Sequence, residues 1–110
     1  MASIKYKIRK YEKIIIGFLT ETLNFRNQLA NFHLLITDKE RKHYQLFFSG
    51  WYEADRFEHT LLMHLHIDME GKIWILANET ETQIRLELQN RGVLANDIGV
   101  AFAPPIPKVA

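Results

Sequence analysis

The chain predicts an α+β fold: an antiparallel β-sheet of four to five strands, with an N-terminal helix and a C-terminal helix packed on one face. Three observations carry this expectation. Along the 110 residues the patterns run helix, four strand-like segments, helix, and a last short apolar segment. The strand-like segments follow one another through short turns, which favours antiparallel neighbours over parallel crossovers. The two helical patterns flank the strands, as expected when helices cover one side of a sheet. A single domain over residues 1–110 suits this length, and such a chain buries roughly two-thirds of its unfolded surface without needing staples.

Ser3 to about Thr22 reads as the first helix. Ile4, Ile8, Tyr11, Ile15, Phe18 (or Leu19) and Thr22 recur at three- and four-residue steps and lay one apolar stripe along it. Ser3 is placed to cap the first turn. The segment Asn24 to Asn31 is polar enough to be a connection. Phe32–Thr37 is a strand, Asp38 to Arg41 a charged turn, and the segment from His43 to Trp51 returns, with Gln45–Trp51 as the strand. In that strand Tyr44, Leu46, Phe48 and Gly50 share one face, and Gln45, Phe47, Ser49 and Trp51 the other. Tyr52 to Phe57 reads as a charged loop.

The second hairpin is the clearer one. From Thr60 to Ile67 the residues alternate, Leu61, Met63, Leu65 and Ile67 against Leu62, His64, His66 and then Asp68. Glu70-Gly71 supplies a turn in which glycine can take a positive φ, and Lys72–Leu76 returns. Thr80-Glu81-Thr82-Gln83 has the form of a capping box, opening a helix over Glu81–Asn90 that would pack by Ile84 and Leu88. Gly92 stands where a left-handed residue ends such a helix. Ile98 to Phe102 can form a fifth strand before Pro104, Pro105 and Pro107 end regular structure.

Composition narrows the function classes. With no cysteine, disulfides, thiolate chemistry and Cys-based zinc sites are excluded, which fits a cytoplasmic protein. The net charge of +1 is too small for the whole surface to act as a polyanion trap. The longest apolar run, Ile14 to Leu19, is far short of the roughly 20 residues of a membrane span. No secretory leader is legible, because no small-residue cleavage site follows that run.

Two clusters could carry chemistry. His64-x-His66-x-Asp68 puts two imidazoles and a carboxylate on one strand face, about 6.5–7 Å apart between successive Cα atoms, and these are legitimate metal ligands. The plainer reading is the wet face of a hairpin, since a metal site also needs supporting partners that spacing cannot show. Lys5, Lys7, Arg9, Lys10 and Lys13 form the charge-biased segment and could contact phosphates, or merely be solvated. Gly71-Lys72-Ile73-Trp74-Ile75 is a turn and core strand, not a phosphate loop, because a single glycine there opens a strand. Trp51 and Trp74 could pair across the sheet or serve an interface. The carboxylates Asp55, Asp68, Glu79, Glu81 and Asp97 are scattered, and no nucleophile–base spacing accompanies them. No catalytic residue and no cofactor is therefore expected. The sequence is 47% hydrophobic, and Phe47, Trp51 and Leu62 lie outside the expected core, which predicts a homodimer interface.

Four signals in a fixed order complete the reading: Gly50-Trp51, Gly71 to Ile75, Asn78-Glu79-Thr80-Glu81, and Gly92-Val93 with Asn96-Asp97-Ile98. Together, over roughly Asn31 to Pro105, they resemble the XisI family, the fdxN element excision controlling factor proteins of cyanobacteria. The resemblance implies a non-catalytic accessory factor in programmed DNA excision that binds a nuclease-related, XisH-like partner. DNA contact would then be weak or indirect. The alternative from the residues alone is a small metal- or ligand-binding protein that uses His64, His66 and Asp68. Ala103 stands where the family usually carries histidine, and the tail after Pro105 is short.

Overall fold

The computed structural model describes residues 3–29 and 32–102. Helix α1 spans Ile4–Leu29; strands β1 (His33–Asp38), β2 (His43–Glu53), β3 (Arg56–Ile67) and β4 (Ile73–Asn78) follow. Helix α2 (Ile84–Asn90), a single 3₁₀ turn (Ala95–Asp97) and strand β5 (Ile98–Val100) close the chain. The sheet order is β1-β2-β3-β4-β5. The α+β architecture is as expected, with one correction. The first three pairings are antiparallel, but β5 runs parallel to β4, so the sheet is mixed. Residues 79–97 and their helix are long enough for the crossover that a parallel pair demands.

Ser3 caps α1, its hydroxyl accepting the Tyr6 amide at 3.1 Å. Tyr11, Ile15, Phe18 and Leu19 are buried and Ile8 packs beside them. The helix does not stop at Thr22 but continues to Leu29, because no glycine or proline interrupts the ladder there and Leu23 still packs on the core. Tyr44, Leu46, Met63, Leu65, Ile67, Ile73, Ile75 and Ile98 meet α1 from the sheet, and Ile84, Leu88 and Val93 fill the same core. Each such side chain contributes about 1.5–3 kcal/mol by leaving water. Helices α1 and α2 therefore cover one face of the sheet.

Other boundaries move for local reasons. The expected loop at Tyr52 to Phe57 is strand at both ends, with Ala54 and Asp55 as the turn between Glu53 and Arg56. The capping box does not form. Thr80 Oγ1 instead accepts the Thr82 amide and donates to Asn78 Oδ1, so α2 begins only at Ile84, without a side-chain cap. Gly92, at φ +107°, ends α2 as expected, and the Val93 amide bonds back to the Leu88 carbonyl at 3.0 Å. The fifth strand is shorter than Ile98 to Phe102, and Ala103 with the prolines lies outside the described residues. Among the described residues no helix is long and apolar enough to cross a membrane.

Candidate functional site

The face of the sheet away from the helices is built by the register of the strands, as a series of cross-strand rows. Leu34, Phe47 and Leu61 form one row, and Ile36, Gln45 and His64 the next. Asp38, His43, His66 and Trp74 form a third, extended by Gly99 on β5. At the far end Trp51 and Phe57 meet edge to face, 5.5 Å between centroids. Leu34, Ile36, Trp51 and Phe57 are about half exposed, at 47%, 48%, 57% and 55%. The face thus grades from an apolar end to an imidazole-rich end.

A bulge decides which residues reach it. Leu46 opposes Met63 while Phe47 opposes Leu61, so Leu62 is the extra residue. Its side chain turns to pack against the core and its carbonyl accepts the Glu79 amide. Leu62 is therefore not the surface interface residue expected from strict alternation, whereas Phe47 and Trp51 do lie on the open face. The same shift brings His59 onto that face, where its ring stacks on Phe47 at 5.1 Å and meets Ser49 Oγ at 2.9 Å. Strict alternation back from His64 would place His59 on the other side. Nor do Trp51 and Trp74 pair: Trp51 packs on Phe57, and Trp74 donates from Nε1 to Asp68 at 2.9 Å beneath the Lys72 ammonium.

His64, His66 and Asp68 are not brought together as a ligand set. Asp68 Oδ1 accepts the amides of Glu70 and Lys72, and Oδ2 accepts Trp74 Nε1, so its carboxylate builds the hairpin turn. Burial alone would push this carboxyl up, but those hydrogen bonds hold it below the ordinary carboxylate range. His66 Nδ1 bonds the Lys42 carbonyl at 2.9 Å. His64 Nε2 lies 2.9 Å from Nδ1 of His43, a residue the spacing argument missed because it sits on the neighbouring strand. The His43 ring also stacks on His66 at 4.1 Å. Among the described residues no group of three or more side chains could hold a metal ion.

Burial, and then the neighbouring imidazoles, lower the His43 and His64 pKa values below 6.5. Asp38 opposes this at His43 and Arg41 adds to it. A depressed histidine pKa means that the unfolded chain takes up protons first as pH falls. Stability should accordingly be highest above about pH 6.5 and decline as pH drops below that value. Urea midpoints measured from pH 7.5 down to pH 5 should show the decline, and His64→Gln should flatten it. A wild-type profile no steeper than that of the variant would count against the cluster.

A second polar constellation ties α1 to the crossover. Lys7 Nζ donates to Asp97 Oδ1 at 2.9 Å, and Tyr11 Oη donates to Asp97 Oδ2 at 2.5 Å while accepting the Leu94 amide at 3.4 Å. Gly71, at φ +83°, lies under Lys7: an added Cβ would stand 2.9 Å from Lys7 Cδ. A hollow of about 420 Å³ opens here, lined by Tyr6, Lys7, Lys10, Tyr11, Gly92, Leu94 and Asp97. Two of the ordered sequence signals, Gly71 from one and Gly92 with Asp97 from another, thus meet at one place, and the contacts they make there are structural. Of the five expected phosphate-contacting cations, Lys7 is committed to Asp97, whereas Lys5, Arg9, Lys10 and Lys13 are exposed.

The class defined by this frame is a two-layer α+β domain with two helices on one face of a mixed five-stranded sheet and the other face bare. The chain belongs to the XisI family, whose pattern it matches over residues 6–109. It is similar to the crystal structure of a XisI-like protein from Anabaena variabilis ATCC 29413, with TM-score 0.79 and 29% identity over 89% of each chain. It is also similar to the fdxN element excision controlling factor XisI of the same organism, with TM-score 0.74 and 27% identity over 90% of this chain and 95% of that one. No curated protein matches the chain.

Proposed function

We infer that this protein is a controlling factor in DNA element excision that acts without catalysis, by binding an XisH-like, nuclease-related protein. The observation that carries the reading is the sheet face left bare by both helices, with Leu34, Ile36, Trp51 and Phe57 about half exposed on it. Apolar surface of this kind, rimmed by polar groups, marks an interaction site. Family membership, and the controlling-factor role named for the similar Anabaena protein, support the same direction. The metal-binding alternative loses its basis, because Asp68 is spent on its own turn.

In this reading the chain alone is a homodimer closed about a two-fold axis at the Phe47, Trp51 and Phe57 end. The end around Ile36, Gln45 and His64 then remains for the partner. The test is capture of a purified XisH-like protein, with light scattering of the chain alone. Trp51→Asp with Phe57→Asp should yield monomers that still fold. Ile36→Lys with Gln45→Lys should abolish capture while leaving the dimer. Capture undiminished by the second pair would move the partner site to the helical side and overturn the assignment.

A further inference from the structure

We propose that the exposed stripe Tyr6, Arg9, Lys10 and Lys13 on α1 is a binding site for single-stranded nucleic acid. The four residues stand at i, i+3, i+4 and i+7 and therefore share one helix face. Among the described residues no hydrogen bond or ion pair engages the side chains of Arg9, Lys10 or Lys13, so their charges are uncompensated. The nearby carboxylates are already taken: Asp97 by Lys7 and Tyr11, and Glu12 by Lys42 and Tyr44. The helix end itself is not the site, since Ser3 caps it.

The shape of the surface selects the ligand. Tyr6 and Lys10 form a ridge between two open hollows. The smaller, about 260 Å³, is bounded by Tyr6, Arg9, Lys10 and Lys13, a cationic lining suited to backbone phosphates. The larger, about 420 Å³, has Tyr6 and Leu94 in its wall, both mostly exposed, and offers a ring on which a base can stack. A stackable base beside phosphates is the chemistry of a nucleotide. The stripe spans the seven steps from Tyr6 to Lys13, about 10 Å along the helix axis, which reaches more than one phosphate and so favours a strand over a free mononucleotide. Paired bases in a duplex would not present a free face to Tyr6. This site lies on the helical layer and is independent of how the bare sheet face is used.

The experiment is fluorescence anisotropy of a short labelled oligothymidylate titrated with the full chain, from low salt to about 0.15 M. The expected result is binding whose log K falls with log salt at a slope near −2, about −0.7 for each of three phosphates. Arg9→Gln/Lys10→Gln/Lys13→Gln should abolish it. Tyr6→Ala should weaken it about tenfold while leaving the salt slope unchanged, because stacking releases no counterion. Lys39→Gln/Arg41→Gln/Arg56→Gln, an equal loss of charge elsewhere, should retain most of the binding. The proposal is overturned by absence of binding at low salt, by Tyr6→Ala binding like wild type, or by equal losses in the two triple variants. Tighter binding of a duplex, of a mononucleotide or of anionic vesicles than of the single strand overturns it as well.

Discussion

Asp97→Ala should lower the stability of the fold by about 2–3 kcal/mol, because it leaves Lys7 and the Tyr11 hydroxyl without their shared acceptor. For a chain of this size that corresponds to a fall in Tm of about 10 °C or more. Urea and thermal melts measure it directly. The effect is large because Asp97 is only slightly exposed and closes a contact between the first helix and the segment leading into β5. Asp97→Asn should recover part of the loss, since an amide oxygen still accepts but carries no charge. A double-mutant cycle of Tyr11→Phe with Asp97→Asn should give a coupling well above that of distant pairs. Burial pushes the Asp97 carboxyl up, but hydrogen bonds from Tyr11 and Lys7 outweigh it and hold its pKa below the usual value of 3.8. A depressed carboxylate stabilises the fold above its unfolded pKa and loses that contribution as pH falls through the folded one. Wild type should therefore lose stability in acid more steeply than Asp97→Asn. A cost below about 0.5 kcal/mol for Asp97→Ala, the level of an ordinary surface change, would refute the clamp.

Gly99→Val should cost about 1–3 kcal/mol by overpacking, and it should do so through Trp74. A Cβ at position 99 would stand 2.5 Å from Trp74 Cζ3 and 3.1 Å from Lys72 Cε. The indole cannot slide away without giving up its bond to Asp68 and its place under the Lys72 ammonium. In a Trp51→Phe background, where Trp74 is the remaining tryptophan, its fluorescence should shift to the red as the ring becomes wetter. Adding Trp74→Leu should relieve most of the cost. If the double variant is no more stable than Gly99→Val alone, the strain lies in the β4–β5 pairing and not in the ring.

Much of the frame was legible in the chain. The stripe through Tyr11, Ile15 and Phe18 and the alternation from Met63 to Ile67 each bury the residues their periods assign. Gly71 and Gly92 take the positive φ angles that their turns demand. The candidate site was less legible, for identifiable reasons. Periodicity sees one strand at a time, so His43 could not be joined to His64 and His66 before the register was known. Tyr6 drew no attention because it lies off the apolar stripe, yet an aromatic residue off the stripe and among cations is itself the signal.

What this sequence determines by itself is local: which residues prefer helix or strand, where the chain turns, and which face of each element is apolar. These follow from backbone sterics and from spacing, and they need no neighbour. The order of its short signals also sufficed to indicate the family. Everything that depends on a neighbour was decided by the tertiary structure. The bulge at Leu62 exists only in the pairing of β2 with β3: it sets Leu62 against the core and leaves Leu61 and Phe57 on the open face. The parallel edge arises because β5 returns across α2 to the same core that Ile73 and Ile75 line. Asp97 could choose Lys7 and Tyr11 only once packing had removed water from between them, and in the extended chain those groups are more than eighty residues apart.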